Sequence, residues 1–161
     1  MTFPSHLLQP PLAAPADLRF RLAEQDDYDA LYAMTYAHKG PGKFWHHFEQ
    51  LMEWQANGRT AWLIAERNNR VIGSGELVIY PHSAELANLF IIPQHRGRGV
   101  GTALIIVLSR IARHLEQTQL EIGVTQENKR AAALYRRLGF VDDRQVKLPT
   151  GETAVILHKN L

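Results

Sequence analysis

The sequence predicts a single α/β domain with a central mixed sheet, and three observations carry that prediction. Short alternating or apolar runs of strand type are interleaved with longer runs of helical period, in the order β-α-α-β-β-β-α-β-α-β-β. A chain of 161 residues can bury one sizeable core and leaves no room for two. Hydrophobic residues make up 45% and charged residues 21%, the balance of an ordinary globular domain.

Each element follows from its residues. Residues 17–23 set Leu18, Phe20 and Leu22 against Arg19 and Arg21, the two-residue period of a first strand. Asp26 and Asp27 open a helix with Tyr28, Leu31, Tyr32 and Thr35 at helical spacing, and the Lys-Gly-Pro-Gly run at 39–42 breaks it. A second helix is expected from about Phe44 to Ala56, with Trp45, Phe48 and Met52 on one stripe and Asn57-Gly58 as its stop. Residues 61–66 and 71–80, joined by Arg67-Asn68-Asn69-Arg70, read as a β-hairpin. Pro81-His82-Ser83 turns the chain into a third apolar run, 85–92, ended by Pro93. A glycine-rich turn at 95–101 then leads into a long amphipathic helix bearing Val100, Ala103, Leu104, Val107, Leu108, Ile111 and Leu115. Residues 118–124 form another strand. Residues 128–138 form a helix with Gly139 just past its end. Residues 140–147 and 153–158, around Pro149-Thr150-Gly151, close the chain as a hairpin. Residues 1–16 carry several leucines and alanines broken up by Pro4, Pro10, Pro11 and Pro15, and read as a flexible arm ahead of a domain at 17–161.

Composition removes several function classes. Cysteine is absent, which excludes disulfides, thiolate metal sites and an acyl-cysteine intermediate. No metal is expected. The formal charge of +2 gives no case for nucleic acid. No run is long and apolar enough to span a membrane, and no basic residue precedes Arg19, so a secretory signal lacks its charged start. A cytoplasmic location is the default expectation. From Arg96 to Lys147, however, ten Lys/Arg stand against five Asp/Glu, a balance that suits an anionic small ligand or a phosphate contact but that, on charge alone, reads more ordinarily as a solvated surface of arginines.

The most informative stretch is Leu89-Phe90-Ile91-Ile92-Pro93-Gln94-His95-Arg96-Gly97-Arg98-Gly99-Val100-Gly101-Thr102. A strand ends, glycines follow at alternate positions, and a helix begins. Glycines let the backbone approach a ligand, and the first N–H groups of a helix point outward with the helix dipole behind them. Arg96 and Arg98 add charge. A P-loop is excluded because no lysine follows Gly101, and a dinucleotide Gly-x-Gly-x-x-Gly match is only partial. The plain alternative is a glycine turn that merely joins strand to helix; three glycines and two arginines in six residues argue against it.

Arg96-x-x-Gly99-x-Gly101 after an apolar strand resembles the acyl-CoA-binding motif of the GNAT superfamily of N-acetyltransferases. Asn128-x-x-Ala131-x-x-Leu134-Tyr135-x-x-Leu138-Gly139-Phe140 is similar to that family's second signature. Asn128 and Tyr135 lie two helical turns apart and share a face, with Ala131 and Ala132 between them and Leu134 and Leu138 on the buried side. The resemblance covers roughly residues 18–160. It implies a three-layer fold with a mostly antiparallel sheet, splayed central strands and flanking helices. It implies acetyl-CoA as cosubstrate and direct attack by a primary amine in a ternary complex. The cofactor contacts it implies are the backbone of Phe90 and Ile91, the turn from Arg96 to Thr102 (Arg96, Gly97, Arg98, Gly99, Val100, Gly101, Thr102), Asn128 and Tyr135. Tyr135 would protonate the leaving thiolate, a role that suits a phenol neutral at pH 7.

The base is the point of departure. Family members often carry a glutamate where this chain has Asn88, which takes no proton at neutral pH. Glu85 is the nearest carboxylate on that strand, and simple alternation turns it to the face opposite Asn88 unless a bulge intervenes. His82, His46, His47 and a water chain are further candidates. His46, Glu49 and Glu53 form a polar stripe that suits a cationic amine or, more ordinarily, solvent. Polyamine, antibiotic, amino acid and protein N-terminus are all compatible acceptors. Dimers are common among such relatives, so a homodimer is also compatible. Two rivals remain from other classes: a non-catalytic acyl-CoA-binding module, and a nucleotide-binding domain using the same turn.

Overall fold

The protein is described from a computed structural model that covers residues 1–36 and 40–161, with Tyr36 known by its backbone only. Its strands are β1 (Leu18–Leu22), β2 (Thr60–Arg67), β3 (Arg70–Ile79), β4 (Ala84–Ile91), β5 (Gln119–Thr125), β6 (Val141–Lys147) and β7 (Thr153–Asn160). Its helices are α1 (Tyr28–Leu31), α2 (Pro41–Ala56), α3 (Val100–His114) and α4 (Lys129–Arg137). The strands form one sheet in the order β1-β2-β3-β4-β5-β7-β6. β4 and β5 run parallel, and the other neighbours run antiparallel.

Helices cover both faces, and β2 shows why. Its alternation sends Ala61, Leu63 and Ala65 into the core under α3 and α4, and Trp62 and Ile64 into the second core under α1 and α2. A strand buried on both faces must be apolar at nearly every position. Gln55 locks α2 in place. Its amide nitrogen donates to the Ala23 carbonyl (2.9 Å), and its carbonyl accepts from the Trp62 amide N–H (3.0 Å). Removing this buried side chain would leave both backbone groups unpaired.

The hairpin turn is as expected: Asn68 and Asn69 both take positive φ (51° and 58°), the conformation that a two-residue turn between twisted strands requires. Gly139 takes φ 89° after α4. Three expectations need correcting. The second helix starts at Pro41 rather than Phe44, because proline suits the first helical position, where no N–H is needed; Lys39 of the expected break lies outside the described residues. The buried stripe of α2 is Phe44, Phe48, Leu51 and Gln55, while Trp45 is 48% exposed. The first helix is a single α turn that widens into a π turn over Tyr32–Tyr36.

Within residues 1–16, expected as an arm, the first nine pack on the domain while Leu12 is fully exposed. Ser5–Leu8 form a 3-10 turn with Leu7 buried, Phe3 and Leu8 pack on the main core, and Arg110 donates to the Gln9 carbonyl (2.7 Å).

The feature that shapes the centre is the path of β4. It pairs with β5 only through residues 84–86, matched to residues 120–122. Beyond Leu86 the two parallel strands part. On its other edge β4 stays with β3 but carries a bulge: Glu76 pairs with Ala87 and Ser74 with Phe90, so Asn88 and Leu89 together oppose Gly75. Asn88 sits at φ 49°, the left-handed region that asparagine tolerates well. Gly75 makes room here: a Cβ there would come within 2.5 Å of the Leu89 side chain and 3.0 Å of the Leu104 side chain, so these side chains would have to shift.

Candidate active site

The bulge resets the alternation of β4. Asn88 turns toward the α2 face, where its amide nitrogen donates to Glu76 Oε1 (3.0 Å). Leu89 turns toward α3. The consequence is two cavities on opposite faces of the sheet that meet on one strand, with Leu89 lining both.

The cavity on the α3 face has a volume of about 570 Å³ and runs between the glycine turn, α3 and α4. Its turn is built for an anion. Gly97 and Gly99 take φ 72° and 84°, and Gly99 is the N-cap of α3. No side chain caps that helix, and no acidic residue lies in its first turn, so its leading N–H groups remain available. Arg96 does not simply point outward: its Nε donates to the Ile91 carbonyl (2.7 Å), and its guanidinium lies 5.4 Å from the Phe90 ring centre. It therefore ties the turn to the end of β4 while leaving its terminal nitrogens for a ligand. At the far end Asn128 caps α4, its side-chain oxygen accepting from the Ala131 amide N–H (3.2 Å). That bond leaves its NH₂ end for a ligand. Tyr135 is 8% exposed, and burial raises its phenol further above its ordinary value, so it stays protonated at neutral pH.

Of the residues expected at the cofactor, Ile91, Arg96, Gly97, Gly99, Gly101, Thr102, Asn128 and Tyr135 line this cavity. Three do not. The Phe90 side chain lines the cavity on the other face, because the bulge inverts its direction, and the contact expected of this residue is through its backbone. Val100 is buried in the core, and Arg98 is exposed outside the lining. Leu134, expected on the buried side, lines the cavity. Sequence reasoning missed Arg130 and Arg137, which also line it. Arg130 leans over the turn, with a terminal nitrogen 3.2 Å from where a Gly97 Cβ would sit. Its place near the start of α4, two residues after Asn128, was the available signal.

The cavity on the α2 face is smaller, about 240 Å³, and is lined by residues from five segments, among them Thr35, His47, Trp62, Glu76, Asn88 and Phe90. Glu76 is 3% exposed, and burial with the field of Glu85 pushes its carboxyl up to about 7 against the opposing pull of the Asn88 hydrogen bond. His47 Nε2 lies 3.9 Å from Glu76 Oε1.

The remaining candidates fall elsewhere. Glu85 shares the face of Glu76 and, because of the bulge, that of Asn88 as well, contrary to simple alternation. It is half-buried, accepts from the Tyr80 hydroxyl (3.2 Å), and lines neither cavity. His46, Glu49 and Glu53 are exposed along α2, and His82 is exposed in its turn. Among the described residues no cluster of three or more His, Asp or Glu could hold a metal ion, and no helix is long and apolar enough to cross a membrane.

A glycine turn after the fourth strand of a mostly antiparallel sheet, facing a parted pair of parallel strands, is not the doubly wound arrangement of a dinucleotide domain. The sheet is the mostly antiparallel one, with splayed central strands and flanking helices, that the resemblance implied. Residues 24–140 match the acetyltransferase (GNAT) family, and the chain belongs to that family. An uncharacterized N-acetyltransferase of Methanocaldococcus jannaschii is 42% identical over 64 residues, a match covering 40% of this chain and 28% of that relative. The chain therefore spans less than a third of that relative's length. A ribosomal-protein-alanine N-acetyltransferase of Brucella melitensis has the same fold, with a TM-score of 0.77 at 24% identity over 88% of this chain and 99% of its own. A spermidine N-acetyltransferase of Vibrio cholerae, solved with CoA and spermine, gives 0.75 at 22% identity over 91% and 96%.

Proposed function

We propose that the protein transfers the acetyl group of acetyl-CoA to a primary amine by direct attack in a ternary complex. One observation carries the reading: two cavities of different character open on opposite faces of the sheet and share Leu89, where β4 has left β5. Donor and acceptor can enter from separate sides and meet at one strand, as a direct transfer demands.

The α3 face suits the donor. The uncapped start of α3, with Arg96 and Arg130 beside it, suits the phosphates. Asn128 has a free amide donor for the pantetheine arm. Tyr135 would hold its proton until the thiolate leaves, and burial keeps that proton in place. The α2 face suits the amine, since Glu76 offers a buried carboxylate and Trp62 and Phe90 offer apolar walls. The two solved neighbours are named for a polyamine and for a ribosomal-protein alanine. Both acceptors are amines, which supports that acceptor class.

The test is release of free CoA thiol from acetyl-CoA with a panel of polyamines, amino acids and short peptides. Thiol release matched by acetylated amine is the expected result. Tight acetyl-CoA binding without release from any amine would favour a binding module.

A further inference from the structure

Asn88 stands where a carboxylate is expected, and it hands its hydrogen bond to a carboxylate on the neighbouring strand. Glu76 is the residue sequence reasoning overlooked: one acid in the apolar run of β3, 3% exposed, in the wall of the acceptor-side cavity. Its Oε1 accepts from Asn88, and its Oε2 accepts no hydrogen bond from the described residues. A buried carboxylate with an open oxygen on a cavity is costly to a fold unless a ligand uses it.

We propose that Glu76 is the general base of the reaction, with Asn88 as its positioning residue. The assignment rests on the acetyl-transfer reading above. The acceptor enters as an ammonium, R–NH₃⁺, and gives one proton to Glu76, which later passes it to water. The freed lone pair forms the C–N bond as the C–S bond breaks. The thiolate takes its proton from Tyr135, and the second proton shed by the nitrogen restores the phenol. Charge and protons then balance: one ammonium and one thioester give one amide, one thiol and one proton.

The environment suits that task. Among the described residues, the groups that act on Glu76 are His47 from α2 and Asn88 and Glu85 from β4; β2 contributes the uncharged Trp62. Burial places the carboxyl at about 7, where it is largely ionised at pH 8 and still basic enough to take an ammonium proton. Glu85 is engaged by Tyr80 and lines neither cavity, so it acts on Glu76 through its field.

The experiment is kcat/KM against pH for two amines of different pKa, in wild type, Glu76→Gln and Asn88→Gly. Glycine accepts the φ of 49° and removes the Asn88 side chain together with its hydrogen bond. In wild type the acidic limb should stand near 7 for both amines. In Glu76→Gln the rate should fall by about 10²–10⁴-fold, with acetyl-CoA affinity unchanged, and the residual limb should follow each amine's own pKa. In Asn88→Gly the limb should move to higher pH, since the bond that favours the carboxylate is gone. A merely structural Glu76 would not move the limb. Turnover in Glu76→Gln at the wild-type rate, or a limb in Asn88→Gly that stays put, would overturn the assignment while acetyl transfer stands. Absence of turnover with every amine in wild type would instead overturn the acetyl-transfer reading and the base with it.

Discussion

The two cavities that meet at Leu89 are built in opposite ways. The donor side is written in short contiguous segments: a turn at residues 96–102 and one face of a helix at 128–137. Its chemistry is backbone N–H groups and arginines, which need only a local conformation to become a site. The acceptor side draws Thr35, His47, Trp62, Glu76 and Asn88 from separate elements, and no two of them are neighbours in the chain. Its chemistry is one buried carboxylate, which becomes a site only when the sheet and α2 enclose it. A local motif announces itself in a sequence, and an assembled pocket does not.

The largest test of that contrast lies at Tyr135, the donor-side group nearest the proposed chemistry. Tyr135→Phe keeps the ring packed near Phe140 and removes one hydroxyl. We expect kcat to fall by about 10²–10⁴-fold with acetyl-CoA affinity near wild type. An unimpaired kcat would mean that the thiolate leaves without it.

Gly99→Val tests whether the donor side depends on backbone conformation. The residue sits at φ 84°, and a Cβ there would meet only the Ala13 carbonyl oxygen at an ordinary 3.9 Å, so the cost comes from the backbone and not from a clash at that atom. Loss of backbone hydrogen bonds to the phosphates should weaken acetyl-CoA by about 10²-fold or more. Calorimetry on a variant whose circular dichroism is unchanged checks this. Unaltered affinity would break the turn's assignment.

The acceptor side has a signature in stability. Burial raises the Glu76 carboxyl from 4.5 to about 7, so the folded state prefers the neutral acid. That preference contributes fully below pH 4.5 and is lost as pH rises through about 7. Wild type should therefore lose stability relative to Glu76→Gln by ~3 kcal/mol across this window, at ~1.4 kcal/mol per pH unit. Urea unfolding of both proteins at pH 4.5 and pH 8 measures the difference. Parallel pH profiles would show a carboxyl titrating normally.

The smallest effect is expected at Arg130. Arg130→Ala removes one charge over the glycine turn and should weaken acetyl-CoA about tenfold, the ~1.4 kcal/mol of a single charge-assisted contact. The deficit should shrink as salt is added. A deficit that persists in high salt would assign Arg130 to packing.

Sequence alone determined the order of elements, the Asn68-Asn69 hairpin turn, the Gly139 helix end and the glycine turn at the start of α3. Each rests on preferences of a few adjacent residues, for positive φ, for helical period or for alternation, which act before any tertiary contact forms. The tertiary structure decided the rest. The buried stripe of α2 through Phe44, Phe48 and Leu51 follows from what α2 packs against. The direction of Phe90, the shared face of Glu85 and Asn88, and the place of Leu89 between two cavities follow from one inserted residue on β4. A bulge shifts every later side chain to the other face, and it is set by pairing with β3, where Gly75 makes room for Leu89. Glu76 stayed hidden for the same reason. An acid in an apolar strand is ambiguous in one dimension, and only burial by α2 and a hydrogen bond from the next strand give it a chemical setting.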